Sequence, residues 1–507
     1  MLTFIKEKLH KMSDRRSSVE KAIDWIKKNR VPNSGILAHH RSKKVTPEVT
    51  GYTIASLHAA GEKVLAYDLA RWEASIQKTD GSFVAPGTDV PYTFDTAQVV
   101  RGFLAMLDEK PEFEDNIRRA CDFVDKHIDQ TSGEVTTPSY ATWRLPDGTM
   151  LSEYGNLYVL PPMLQAGKKL NEPRYIEAAK RGMNYFRKKA DLVEFKPELA
   201  TLSHYFGYMM EALVDLGEFE LAKKGLQQVE AIQKPNGAIP AYPGVEWVCS
   251  TGMAQLAIAW YKLGIKGPAD KALAYLETLQ NPSGGFYGSY GKDAQYFPGK
   301  EISWAVKFFL DAHPLKIKID FDEEVHLYSE AINENDGRVQ TVLSFLGDLK
   351  GKKILDIGCG KGRFLKVLKN RFPGGYYYGL DISEEMLKSC PQGIETSVGS
   401  MLSIQYPNDY FDCVYSVEAL EHAVNVENAI REMARILKPR GKIIIIDKNI
   451  NKLGALKIKS WEKWFSRKEI VNLLGKYGIN ANDKFITYNQ LNRPDGLFVA
   501  WEGVKNA

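Results

Sequence analysis

Cysteine is scarce in this chain of 507 residues. Cys121, Cys249, Cys359, Cys390 and Cys413 are odd in number and far apart, with no Cys-x-x-Cys pair. That excludes a disulfide framework, suits a reducing compartment and leaves no metal site to expect. No uninterrupted run of about 20 apolar residues occurs, so no transmembrane segment is expected. The first residues, "MLTFIKEKLHKMSDRR", carry charges every few positions and no apolar centre, so no signal peptide is expected either. Excess charge is also missing. With 67 basic and 63 acidic residues the net charge is +4, and no Lys/Arg block stands out, which argues against a nucleic-acid partner. These absences point to a cytoplasmic, multidomain globular protein, long enough for roughly two to four domains of about 150 residues. Its oligomeric state is not legible.

What is present begins with a repeat. "VPNSGIL" (Gly35), "QKTDGSF" (Gly81), "DQTSGEV" (Gly133), "QKPNGAI" (Gly237) and "QNPSGGF" (Gly284) recur at steps of about 46 to 52 residues, with one double gap. The missing member falls near "KKADLVEF", residues 188–195, where the glycine is lost, so six units are implied. In each unit an amphipathic helix such as "EKAIDWIKKN" leads into the glycine turn, which is expected to stop it. A helix apolar nearly all round follows, such as "TAQVVRGFLAML" or "TGMAQLAIAWYKL". Six such hairpins suggest a closed ring, an (α/α)6 toroid, over residues 1–312; an open solenoid is the competing arrangement.

The glycine turns resemble the repeats of the squalene-cyclase and protein-prenyltransferase superfamily and, more loosely, other (α/α)6 toroids that act on polysaccharides. The resemblance implies the fold and not the chemistry. In "YTFDTA" (residues 92–97), Asp95, Thr96 and Ala97 match the cyclase motif, but Phe94 stands where the catalytic acid belongs and Tyr92 where its first Asp belongs. Cys249 matches part of a prenyltransferase zinc site, yet the last apolar helix supplies no His.

An acid stands at or just before each apolar helix: Glu48, Asp95, Glu153, Glu198, Glu246 and Glu301. In a ring these would converge on one mouth, alongside Trp247 and Trp304 and tyrosines such as Tyr52 and Tyr205. Carboxylates with aromatic faces suit a carbohydrate. Helix N-termini also favour Asp and Glu without any ligand, and aromatics at helical spacing serve cores.

After a linker or entering helix at 313–337, the pattern changes to strands alternating with amphipathic helices over 338–507: "KKILDIG", "YYYGLDI", "FDCVYSV", "GKIIIIDK". That alternation predicts a doubly wound parallel sheet, closed by late strands around "DKFITYN" and "GLFVAWEGV". The first strand runs into "LDIGCGKGRF", whose Gly358, Gly360 and Gly362 let the backbone turn sharply and approach a ligand at a helix N-terminus. A dinucleotide loop would place its last glycine where Arg363 stands. Asp381 ends the second strand, placed to take ribose hydroxyls.

Residues 338–504 resemble the class I S-adenosylmethionine (SAM)-dependent methyltransferases, nearest the small-molecule branch. The resemblance implies that Asp356, Gly358, Cys359, Gly360 and Gly362 cradle the methionine part of SAM, that Asp381 binds its ribose, and that Ile382 packs on its adenine. Ser400 and Met401 replace the usual Asp-Ala beside the adenine, and Glu418 lies at the fourth strand's end. Glu421, His422 and Asp447 are candidate bases, "DGR" (Asp336 to Arg338) a cofactor cover, and "WEKWF" (Trp461 to Phe465) part of an acceptor lid. The expected function is O-methylation of a sugar or glycan-like small molecule, which the toroid binds or processes. Two alternatives stand beside it: a toroid that is itself a glycan lyase, hydrolase or epimerase, or one that is a protein-interaction scaffold.

Overall fold

The computed structural model describes residues 16–84, 88–138, 153–456, 459, 461–486 and 495–507. The N-terminal stretch read for a signal peptide and the end of "DKFITYN" lie outside these residues, Arg16 apart. The chain divides into two compact units, Met1–His58 with Glu62–Lys316, and Ala59–Gly61 with Ile317–Ala507.

The first unit holds twelve α-helices among the described residues, alternating in character. One series is amphipathic: α1 Ser18–Lys28, α3 Lys63–Ile76, α5 Glu114–Lys126, α7 Pro173–Arg187, α9 Phe219–Ile232 and α11 Lys266–Thr278. In α1 a Ser17–Glu20 capping box starts the helix, and Val19, Ala22, Ile23 and Ile26 form its buried stripe. The other series is α2 Pro47–Ala59, α4 Thr93–Met106, α6 Leu160–Lys169, α8 Ser203–Asp215, α10 Ser250–Lys262 and α12 Ser303–Glu323. These helices are buried on most sides; α4 and α10 expose almost nothing. Small residues let them close up: a Cβ on Gly51 of α2 would lie 2.6 Å from Val99 Cα of α4.

The glycine turns do not stop the helices. In α3 the helix ends at Ile76, Gln77 caps it, and Gly81 follows within the turn. Gln77 Nε2 donates both to Gly81 O and to Asn116 O of α5, each at 3.0 Å. Gln233 repeats this, to Gly237 O (3.2 Å) and Pro268 O of α11 (3.0 Å). Gln280 does so again, to Gly284 O (3.0 Å) and Ser18 O of α1 (2.8 Å). The glycines themselves sit flat on the next amphipathic helix. A Cβ at Gly284 would lie 2.0 Å from Lys21 O, at a backbone φ of +96°, so only glycine fits there. Where the glycine is lost, Gln228 of α9 reaches back instead, donating to Val193 O (2.5 Å) and accepting from Phe195 N (3.2 Å).

Contacts also join the last helix pair to the first. Ser303 N donates to Ala38 O at 3.0 Å, and Trp25 Nε1 donates to Glu301 Oε2 at 2.6 Å. Within the stretch expected to be a linker or entering helix, α12 runs on through Pro314 to Glu323, its residues from Ile317 belonging to the second unit, with Ile317 and Ile319 still buried.

The second unit is a seven-stranded mixed sheet. Its strands are β1 Lys353–Ile357, β2 Tyr376–Asp381, β3 Glu395–Val398, β4 Phe411–Val417, β5 Leu437–Lys448, β6 Ile479–Ile486 and β7 Phe498–Lys505. Their order is β3-β2-β1-β4-β5-β7-β6, parallel except that β7 is antiparallel to both β5 and β6. The run Ile443–Ile446 in β5 is wholly buried, which explains its continuous apolar sequence at the sheet centre. Helices α13 Gly337–Leu346, α14 Arg363–Arg371, α15 Glu384–Leu387, α16 Val426–Ile436 and α17 Arg467–Lys476 accompany it. Strand order reverses between β1 and β4, and ligands of open α/β sheets bind at the carboxyl edge of such a point.

Candidate functional site

Past β1 the chain enters the glycine loop at that reversal. Gly358 adopts φ +75°, and a Cβ there would lie 2.3 Å from Ala419 Cβ, just past β4. Gly358 N and Cys359 N both donate to Leu380 O, at 2.8 and 3.1 Å, tying the loop to the end of β2. Gly360 N donates to Asp381 Oδ2 at 2.7 Å, and Ser383 N to Asp381 Oδ1 at 2.9 Å. Each carboxylate oxygen retains a lone pair for a hydroxyl. Gly362 is the N-cap of α14, with left-handed backbone. A Cβ at Gly360 would meet nothing within 4 Å, so the loop presents an open side there.

Around this loop the predicted residues hold varied positions. Burial pushes the Asp356 carboxyl up to about 8, so it carries a proton at neutral pH. Burial also raises Asp381, against the backbone donors that lower it. Cys359 and Cys390 bring their sulfurs to 3.7 and 3.5 Å from the same Gly360 carbonyl oxygen. Ile382 and Met401 are half-buried, and Ser400 Oγ accepts from Leu402 N at 3.2 Å. Glu418 adopts a left-handed φ of +54°, unusual for a non-glycine residue, and pairs with Arg338. Arg338 in turn grips Asp336 at 2.8 and 3.0 Å, which links the start of α13 to the end of β4.

The three candidate bases are brought together but differ. Asp447 is fully buried and accepts from Glu421 N (3.0 Å) and Lys448 N (2.8 Å), so it clips the backbone. Glu421 is held by the Lys448 ammonium, which also lies 3.7 Å from Glu462. Against the lowering that burial imposes, Glu421 and then Asp447 push Lys448 up. Burial, then Lys448 and Lys459, lower His422 to about 3, so its ring is neutral. Phe321 packs edge-on against it at 5.0 Å, and the buried His422 Nδ1 has no hydrogen-bond partner among the described residues. Glu421, His422 and Glu462 offer three ligand atoms within 4.8 Å of one another, but Lys448 already supplies a cation to both carboxylates. Reading the sequence named Glu462 only within "WEKWF" and missed Lys448; a lysine two positions after four buried isoleucines, at a strand's carboxyl end, was the available signal for it.

In the helical unit the six acids separate. Glu153, Glu198 and Glu246 are exposed, the first and last paired with Lys189 (2.9 Å) and Lys234 (3.2 Å). Glu301 is buried and fixed by Trp25, by Asn281 Nδ2 (2.9 Å) and by Ser283 Oγ (2.5 Å). Glu48 and Asp95 do interact: burial, then Asp95, push Glu48 up, and burial pushes Asp95 to about 7. Glu73 of α3 joins them, fully buried, both oxygens without a hydrogen bond among the described residues, raised by burial and then by Asp95. It was missed, although Ala66, Leu69, Ala70 and Glu73 share one helical stripe. Trp247 packs edge-on against Tyr242 at 5.7 Å, and Trp304 against Phe297 at 5.3 Å, the Trp304 Nε1 unpartnered among the described residues.

Residues 355–445, spanning the glycine loop, Asp381 and the candidate bases up to Ile445, match the family model described as a methyltransferase domain. The second unit carries a methyltransferase domain. Among its relatives is a demethylmenaquinone methyltransferase of Geobacillus sp. (strain WCH70), 29% identical over 148 residues, which cover 25% of this chain and 63% of that protein. Another is a fatty-acid O-methyltransferase of Mycolicibacterium smegmatis, 26% identical over 139 residues, covering 26% of this chain and 48% of that protein. The chain thus spans less than two thirds of the length of these relatives. A solved SAM-dependent methyltransferase from Mesorhizobium loti is 19% identical, with a TM-score of 0.30, covering 34% of this chain and 99% of that one.

The methyltransferase domain takes SAM as its cofactor, and its residues fit that group. The Gly358 backbone turns where a side chain would collide, the loop is open at Gly360, and the half-buried Asp381 carboxylate faces it from β2. Asp381 and the loop amides would hold the ribose and methionine parts. SAM supplies an electrophilic methyl on a sulfonium.

Proposed function

We propose that the protein is a SAM-dependent methyltransferase that O-methylates a sugar or glycan-like small molecule, with the helical unit, closed as an (α/α)6 ring, binding that acceptor. The observation that carries the methyltransferase reading is the 2.7 Å bond from Gly360 N to Asp381, which brings the glycine loop and the β2 acid onto one ligand position. The ring is supported by the turns at Gly35, Gly81, Gly133, Gly237 and Gly284, each packed on the next amphipathic helix, three of them with a Gln bonded across, and the last returning at Gln280 and Gly284 to α1. A reducing, cytoplasmic setting agrees with five free cysteines. Among the described residues no helix is long and apolar enough to cross a membrane.

Transfer from a sulfonium is an in-line displacement, so this chain's main task is to hold acceptor and methyl in line. The neutral His422 ring, part of which is accessible, is assigned as the acceptor for the substrate hydroxyl. A base near 3 cannot deprotonate a free alcohol, but the oxonium formed as the new bond closes is a far stronger acid than this imidazolium. His422 therefore orients the hydroxyl first and takes its proton late.

Two relatives' names point to apolar acceptors, a quinone and a fatty acid. A polar guest is favoured for the helical unit because Gln255 Nε2, Thr251 Oγ1 and Trp304 Nε1 are buried there without partners among the described residues. The test supplies SAM with a labelled methyl group to the full chain, with oligosaccharide, quinol and fatty-acid acceptors in parallel. Label in the oligosaccharide, reduced at least tenfold by His422→Ala, is expected. Label only in the quinol or fatty acid would overturn the acceptor, and no SAM-dependent transfer to any would overturn the activity.

A further inference from the structure

The helical unit holds an open pocket of about 610 Å3, within the range of small-molecule sites, and two of its lining residues, Tyr52 and Lys307, also act on Glu48. Its buried floor is Tyr52, Tyr158, Glu211 and Lys307. Arg101 and Lys168 lie above it, from α4 and the last turn of α6. Four cationic side chains line the cavity (Arg101, Lys168, Lys169, Lys307) against two anionic ones (Glu211, Asp311).

Ordinary helix chemistry explains part of this set. Lys168 and Lys169 end α6, where the macrodipole favours cations, and Lys169 is answered by Asp108 at 2.8 Å. Lys307 is answered by Asp311 at 2.9 Å, and Glu211 by Lys262 at 3.0 Å and by the Tyr158 hydroxyl at 3.0 Å. Arg101 is different. It stands a full turn before the end of α4, its guanidinium 4.0 Å above the Tyr158 ring. It donates to Gln98 Oε1 at 2.8 Å and to Tyr158 O at 3.1 Å, so among the described residues its hydrogen bonds end on uncharged oxygens, and its charge is felt by Glu211 only at longer range, after Lys262 and Lys307. A half-buried cation stacked on an aromatic face, in a pocket lined by more cations than anions, is an anion-binding feature.

We propose that this cavity binds an anionic sugar, its carboxylate or phosphate on Arg101 and Lys168 and its ring against Tyr52 and Tyr158. The inference rests on the reading that the helical unit holds the acceptor, and it names that acceptor's charge. Calorimetric titration of the full chain with glucuronate, glucose 6-phosphate and glucose tests it, with a SAM titration on the same samples. Saturable binding of at least one charged sugar, weakened by added salt and at least tenfold tighter than glucose, is expected. Arg101→Gln should weaken it about tenfold or more, with the SAM heat unchanged. The two charged arms show which anion is preferred. If Arg101→Gln lowers the melting temperature, exposed Lys168→Ala decides, with a several-fold loss expected. Equal binding of glucose, no binding of either charged sugar, or no effect of either substitution would overturn the proposal. SAM heat without sugar binding would defeat this inference alone. Charged-sugar binding without methyl transfer would defeat the functional reading alone.

Discussion

At Gly284 an added methyl group would sit 2.0 Å from the Lys21 carbonyl oxygen, whereas at Gly360 in the β1 loop it would meet nothing within 4 Å. Both glycines have positive φ, +96° and +52°. The first is a packing requirement, because its turn lies flat on the next helix and a Gln side chain staples it there. The second faces open space beside a carboxylate, where a cofactor would lie. Glycine in one unit thus records how helices approach each other, and in the other how backbone approaches a ligand.

That contrast is sharpest under substitution. Gly284→Ala forces a steric clash with backbone in addition to left-handed strain, and should cost roughly 3–5 kcal/mol. Gly360→Ala carries the strain alone, about 1–2 kcal/mol, and should show itself mainly in SAM affinity. Thermal melts of the two variants beside SAM titrations check this; equal destabilisation would break the contrast. A second effect belongs to the methyltransferase domain alone. Asp356 titrates near 8 when folded and near ~4 when unfolded. Between those values the folded state holds a proton that the unfolded state has lost. Stability should therefore fall as pH rises through that window, by up to about 1.4 kcal/mol per pH unit, and the Asp356 contribution should be constant below roughly pH 4. Denaturant melts across pH should show a flatter profile for Asp356→Asn; an unchanged slope would assign the proton elsewhere. The smallest effect tests the staples. Gln233→Ala removes two hydrogen bonds to backbone carbonyls and should cost about 1–2 kcal/mol, with SAM affinity unaffected.

The sequence revealed these two units unequally, for physical reasons. Strands such as "GKIIIIDK" and the loop "GCGKG" were legible because a buried parallel strand must be apolar throughout and a backbone cradle must use glycine. The alternation of amphipathic and apolar helices was equally plain. The six acids were not separable in advance, because an Asp or Glu at a helix start satisfies the dipole whether it points inward or out. Glu198 and Glu246 point out, while Asp95 points in beside Glu73. Lys448 was hidden for another reason. Its importance lies in a pairing with Glu421 from a different loop, which no local pattern announces. The cavity at Arg101 depends likewise on side chains from five helices, so periodicity alone could not place it.

The central claim is that the Gly loop and Asp381 together hold SAM, and isothermal titration of SAM into the full chain and into Asp381→Ala tests it most directly. The wild type should bind one SAM per chain, and the variant should bind on the order of a hundredfold more weakly, as expected when charged hydrogen bonds to a ligand are lost. No heat from the wild type, or the same affinity in both, would contradict it.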